Sequence, residues 1–255
     1  MKQYKHFISL GFFCSVSLEM ERIGLRSTSS PFDWCISDFE GVIAAIENNF
    51  DDFLSYDYLL QNKKYREYYF NEKYKIWFYH DFNRHEPLQE QLPNARDKYL
   101  RRIERFYKNI KEPTLFIRYI SPSQSNELGN PKELEWIENN EEYIMRVLKS
   151  FNEENDIIYI SNELEGKTPK ISNIYFVEKD KHNSVARKFL KKNKDLMDLF
   201  ISFDYELRQD NIKVFKRKQR TKNNIILKYI KKIFTRITRK ISPGYLHDKI
   251  YLEQM

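Results

Sequence analysis

Cys14 is the residue of this chain whose setting most suggests chemistry. It follows a short apolar run, residues 6–10, and Gly11. It precedes Ser15–Ile23, where Val16, Met20 and Ile23 recur at helical spacing. A sulfur at that junction lies at or near a helix N-terminus. Unpaired N–H groups and the helix dipole favour a thiolate there and make the sulfur nucleophilic. A cysteine can equally serve as a small apolar filler, and position alone leaves that reading open. Cys35 follows Trp34 without a helix start and reads as structural.

A nucleophilic thiol needs a base, and His80 is the best candidate. It lies in residues 75–82, an aromatic-rich segment that reads as a strand. Asp81 is its neighbour in sequence, but adjacent strand residues point to opposite faces, so Asp33 competes as the carboxylate that would hold the imidazole. A cysteine at a helix start with a histidine from a distant strand is an arrangement for covalent catalysis. The other histidines have weaker settings. His6 opens a strand, His85 lies in a charged loop, His182 precedes a helix and His247 follows the basic tail. No Cys/His cluster has zinc spacing and no glycine-rich loop could cradle phosphate, so neither metal nor cofactor is expected. Arg101 and Arg105 share a helix face and read as solvated charge.

The elements that must position these residues follow from periodicity and turn signals. Gly24 sits where the first helix should stop. Residues 27–34 form a loop. Asp38 is the expected N-cap of a second helix, residues 39–53, with Val42, Ile43, Ile46, Phe50 and Phe53 on its apolar face. A long helix is expected over residues 94–110, then a strong strand, Thr114–Ile120. A helix running from Pro131 to Phe151, strands at 156–160 and Ile174–Val177, a helix at 184–199 and a short strand at 212–215 complete the pattern. Strands alternating with long helices predict an α/β fold, a layered and largely parallel sheet flanked by helices, with a C-terminal basic amphipathic helix. Two parts are expected: an α/β domain at 1–215 and a basic tail at 216–255.

Length and composition agree. A chain of 255 residues, 41% hydrophobic and 16% aromatic, can bury a substantial core. Two cysteines make no disulfide framework, and no signal-peptide or membrane-spanning run is visible, so a cytoplasmic setting is expected. The net charge of +7 is uneven. Residues 211–247 hold twelve Lys or Arg and no acidic residue, leaving 32 basic against 37 acidic residues elsewhere. Within the tail, Ile225, Ile226, Tyr229, Ile230, Ile233, Ile237 and Ile241 recur at helical spacing, with Lys228, Lys231, Lys232, Arg236, Arg239 and Lys240 on the other side. That pattern predicts contact of residues 216–241 with an anionic membrane surface, hence a peripheral inner-membrane location. The wide apolar stripe and the lack of interleaved aromatics argue against nucleic acid as the partner.

The stretch Ile8-Ser-Leu-Gly-Phe-Phe-Cys14, with Leu25-Arg-Ser and Ser30-Pro-Phe-Asp-Trp34, resembles a bacterial family of unknown function regarded as papain-like cysteine peptidases. The likeness continues through Phe39-Glu-Gly-Val, Asn49-Phe-Asp-Asp-Phe53, His80-Asp-Phe82, Tyr99-Leu-Arg-Arg-Ile-Glu-Arg-Phe106 and Leu115-Phe-Ile-Arg118, over roughly residues 7–120. The resemblance implies a thiol-dependent hydrolase or transferase acting on a peptide-like or glycan substrate, with Cys14 as nucleophile and His80 as base. Asp33 would be the orienting carboxylate or a structural cap, with Ser30, Trp34 and Arg118 on the substrate side and Arg118 binding an anionic group. Only 66 residues separate Cys14 from His80, fewer than papain-like enzymes use. The resemblance also carries a link to surface polysaccharides. Two alternatives follow: a glycosyltransferase-like enzyme of surface-polysaccharide biosynthesis, in which Cys14 only packs, and a non-catalytic module recruited to the membrane by its tail.

Overall fold

Leu115, Ile117 and Tyr119 face one hydrophobic cluster, while Phe116 and Ile120 face another. This period-two alternation, with both sides apolar, marks a central strand covered on both faces. The computed structural model describes residues 3–120, 132–162, 168–178 and 188–203. The chain divides into two units, Met1–Asn211 and Ile212–Met255, and every described residue belongs to the first. The expected strand at 212–215 and the basic helix at 216–241 therefore lie outside the described residues, as do Pro131 and residues 184–187.

In chain order the elements are β1 (His6–Ser9), α1 (Ser15–Ile23), β2 (Cys35–Ser37), α2 (Phe39–Glu47), β3 (Leu59–Gln61), β4 (Tyr69–Asn71), β5 (Ile76–Phe78), α3 (Leu88–Asn109), β6 (Thr114–Ile120), α4 (Glu133–Asn139), α5 (Glu141–Lys149), β7 (Asp156–Asn162), β8 (Ile174–Val177) and α6 (Lys194–Ser202). Strands β1, β6, β7 and β8 form a parallel sheet in that order. The register runs His6 to Thr114, Leu115 to Asp156 and Tyr159 to Ile174. Val16, Met20, Leu196 and Phe200, from α1 and α6, join the cluster of Leu115 and Ile117. Ile46, Phe106, Ile144 and Leu148, from α2, α3 and α5, join that of Phe116. The fold is thus a layered α/β arrangement with a parallel sheet between helices.

A second, antiparallel sheet with order β2-β5-β4-β3 is not part of the sequence-based expectation. Its strands are three residues each, too short for alternation to be read against the surrounding aromatics. Four helix boundaries also differ. The helix expected over 184–199 begins, within the described residues, only at Lys194, after Asn193 in extended backbone, and runs on to Ser202 as α6. α2 stops at Glu47 because Asn49 and Phe50 take left-handed backbone angles, φ 53° and 58°. The turn swings Phe50 and Phe53 back into the core, so their apolar spacing is satisfied without a helix. α3 starts six residues early and contains Pro93. Pro93 is exposed, so the carbonyl left without an N–H partner can be hydrated. The segment expected as one helix to Phe151 is two, parted at Asn140.

Candidate active site

The main-chain ladder between β1 and β6 runs past the end of β1. Leu10 N donates to Ile117 O (2.9 Å), Tyr119 N to Gly11 O (3.0 Å) and Phe12 N to Tyr119 O (3.3 Å). Cys14 therefore emerges at the carboxyl edge of the parallel sheet, where open α/β sheets place ligands. It is the N-cap of α1, with helical angles (φ −62°, ψ −12°), and it is half-buried. Its carbonyl accepts from Leu18 N at 3.0 Å. The Cys14 side chain makes no capping hydrogen bond to the first turn. The next residue, Ser15, has a buried hydroxyl without a hydrogen-bond partner among the described residues. Sequence patterning offers no signal for that orphaned hydroxyl.

One turn into α1, Ser17 donates to the carboxylate of Asp33 at 2.9 Å. Asp33 is almost wholly buried. It also accepts from Arg26 Nε (3.0 Å) and Nη2 (2.5 Å) and from the Ser30 N–H (2.9 Å). Asp33 thus fastens the loop of residues 26–34 to α1. Arg26 has no role in the sequence-based reading, although it stands seven residues before Asp33 in a loop otherwise poor in charge. Ser30 is buried too, its hydroxyl donating to Ser9 O at 3.4 Å, so it supports this loop rather than facing solvent.

Trp34 and His80 come together. Cys35 pairs with Phe78, so Trp34 and His80 leave β2 and β5 at the same end of the antiparallel sheet. Their rings meet edge to face, with centroids 6.1 Å apart. The Arg26 guanidinium lies over the Trp34 ring at 5.9 Å, attracted by the negative π-face. His80 is exposed and stands in a bend beyond β5, not in the strand. Its ring makes no hydrogen bond to Asp33 or Asp81 among the described residues. Asp81 turns the other way, into the protein. There it pairs with Lys98 and accepts from the Tyr99 hydroxyl at 3.1 Å. Tyr99 in turn touches Cys35 Sγ at 3.3 Å. Burial pushes the Cys35 thiol up to about 12, and Asp81 adds to the rise.

Arg118 requires a correction. Expected to bind an anionic substrate group, it is fully buried and has its anion inside the protein. Nε and Nη2 bind Glu133 at 2.9 and 2.7 Å, Nη1 donates to Leu10 O (2.8 Å) and Ser37 Oγ (3.0 Å), and Nη2 also donates to Ser37 O (2.6 Å). All five donors of the guanidinium are used, so none is left for a ligand. Arg118 instead ties the β1 end, from which Cys14 departs, to β2 and α4. Glu133, absent from the sequence-based site, is its buried partner. Burial raises the Glu133 carboxyl above its ordinary value, against the opposing pull of Arg118. The approach is tight: a Cβ on Gly11, whose φ is +88°, would stand 2.8 Å from Arg118 Nη1 and from Ser37 Oγ. Among the described residues, no group of three or more His, Cys, Asp or Glu side chains could hold a metal ion.

Comparison with known proteins covers the part of the chain that holds this site. An uncharacterized protein, R408, of Acanthamoeba polyphaga mimivirus is 31% identical over 121 residues, 40% of this chain and 54% of that protein's length. The chain thus spans about half the length of this curated relative. No solved structure matches. Residues 5–143 match the family described as "Putative papain-like cysteine peptidase (DUF1796)". That span exceeds half the chain and includes Cys14, Asp33 and His80, and the protein belongs to this family.

Proposed function

We propose that the protein is a thiol-dependent hydrolase or transferase with Cys14 as nucleophile. The observation that carries this reading is the position of Cys14: a half-exposed sulfur-bearing residue at the carboxyl edge of a parallel sheet and the start of a nine-residue helix. Membership of a family regarded as cysteine peptidases supports it. In the proposed step the Cys14 thiol gives its proton to His80 and its sulfur attacks an acyl carbonyl. The oxyanion forms near the first N–H groups of α1. The intermediate collapses to a thioester, and His80 returns the proton to the leaving amine or alcohol. Water, or an acceptor hydroxyl or amine, then releases the acyl group. His80 is exposed and its ring meets Trp34 edge to face, so the proposed step requires substrate binding to bring the imidazole to the Cys14 thiol.

The test needs no knowledge of the natural substrate. In the full chain, Cys14 should react with iodoacetamide near neutral pH faster than glutathione does, and His80→Ala should slow it. With p-nitrophenyl acetate, an acetyl adduct should appear on Cys14 and persist longer in His80→Ala. A Cys14 no more reactive than glutathione and indifferent to His80→Ala would end the proposal.

A further inference from the structure

We infer that a second cleft, bounded by the outer end of the antiparallel sheet and the start of α3, is a binding site for a small phosphorylated molecule. It shares no lining residue with Cys14, Trp34 or His80. Its volume, about 440 Å³, falls in the range of about 300–1,000 Å³ usual for small-molecule sites. Arg66 enters from the β3–β4 side, and Arg84 and His85 from the loop before α3. Neither guanidinium is ion-paired within the described residues. Glu86 is the single carboxylate on the lining, so cationic groups outnumber it.

The walls are built rather than loose. Gln91, itself buried, accepts from Asn83 N at 2.7 Å and donates to Asn83 O (3.0 Å) and Glu86 O (2.6 Å). Asn83 Oδ1 accepts from His85 N and Glu86 N at 2.9 and 3.1 Å. The backbone carrying Arg84 and His85 is therefore held from both sides. On the opposite wall, Gln61 bridges the Tyr69 hydroxyl (2.9 Å) and Arg66 O (2.7 Å). Burial raises the Tyr69 phenol while the Arg66 guanidinium pulls it back, which puts that charge beside the cleft wall. Leu88 and Gln89, from the first turn of the 22-residue α3, also line the cleft.

Two exposed guanidiniums from different walls, neither ion-paired among the described residues, suit a tetrahedral oxyanion with several acceptor oxygens. Tyr56, half-exposed at the rim and accepting from Gln89 Nε2 at 2.8 Å, adds a ring against which the rest of the molecule can lie.

Inorganic pyrophosphate is the probe, titrated calorimetrically into the full chain at constant ionic strength. Saturable binding is expected, and R66Q/R84Q should weaken it by about tenfold or more, since two charge-assisted contacts are lost. K63Q/K64Q, which removes two nearby charges that do not line the cleft, should leave binding within about twofold, as general charge attraction is screened. Should the double arginine variant melt early, the single variants R66Q and R84Q replace it, each expected to weaken binding. Absence of saturable binding, or an equal loss in the lysine variant, overturns the assignment. Neither outcome bears on Cys14, whose alkylation is read separately.

Discussion

The two thiols of this chain differ in surroundings more than in sequence context. Cys35 is closed off by Pro31, Tyr99 and the aromatic core, and its thiol is pushed up to about 12. Cys14 stands half-exposed at a helix start. Alkylation of the folded protein near neutral pH should therefore modify Cys14 alone, with Cys35 reacting only after denaturation. Peptide mass mapping of native and urea-treated protein distinguishes the sites. The raised Cys35 value also sets a sign. The thiol binds its proton more tightly folded than unfolded, so its contribution is complete below its ordinary value of 9.0 and fades as pH rises toward about 12. Cys35→Ala should flatten the loss of stability across that window, seen as a smaller fall in the urea midpoint between about pH 8 and about pH 10.5. The buried Tyr99, also raised by burial, keeps a slope of the same sign in the variant.

At the scale of elements, one buried ion pair joins the two sheets and one glycine lets α2 rest on the antiparallel sheet. Arg118→Met would strand the Glu133 carboxylate in an almost fully buried site, at a cost of about 3–5 kcal/mol. Arg118→Met with Glu133→Leu should recover much of that loss, because an apolar pair needs no desolvation. Urea unfolding of the two variants measures both. Recovery of stability without recovery of Cys14 alkylation would mark Arg118 as a positioning residue, through its hold on Leu10 O. Gly41 is the second such point. A Cβ there would lie 1.7 Å from the Tyr74 carbonyl oxygen, where α2 rests on the turn between β4 and β5. Gly41→Ala must push α2 off that turn, and a loss of about 1–3 kcal/mol or more is expected by urea denaturation.

At the scale of the molecule, the charge division remains the strongest long-range feature. The acidic balance of residues outside 211–247 and the basic, Ile-striped tail favour different surroundings. We propose that residues 216–255 recruit the protein to anionic bilayers. Sedimentation with phosphatidylglycerol-containing vesicles should lose most of the bound fraction when these residues are removed, and binding should weaken as salt is raised. Truncated protein that sediments as well as the full chain would count against recruitment by the tail. No helix of the described residues is long and apolar enough to cross a membrane.

The strand at Thr114–Ile120, the helix at Ser15–Ile23 with its Gly24 stop, and the helix-start position of Cys14 were legible from sequence because each depends on neighbours in the chain. Apolar spacing, a left-handed glycine and a run of β-branched and aromatic residues are local signals. The pairings of Arg118 with Glu133, Asp33 with Arg26 and Ser17, and Trp34 with His80 were not legible. An arginine in a strand reads the same whether it faces a ligand or an internal carboxylate. Which of these it meets depends on how the two sheets pack, and packing is set by contacts between residues far apart in the chain.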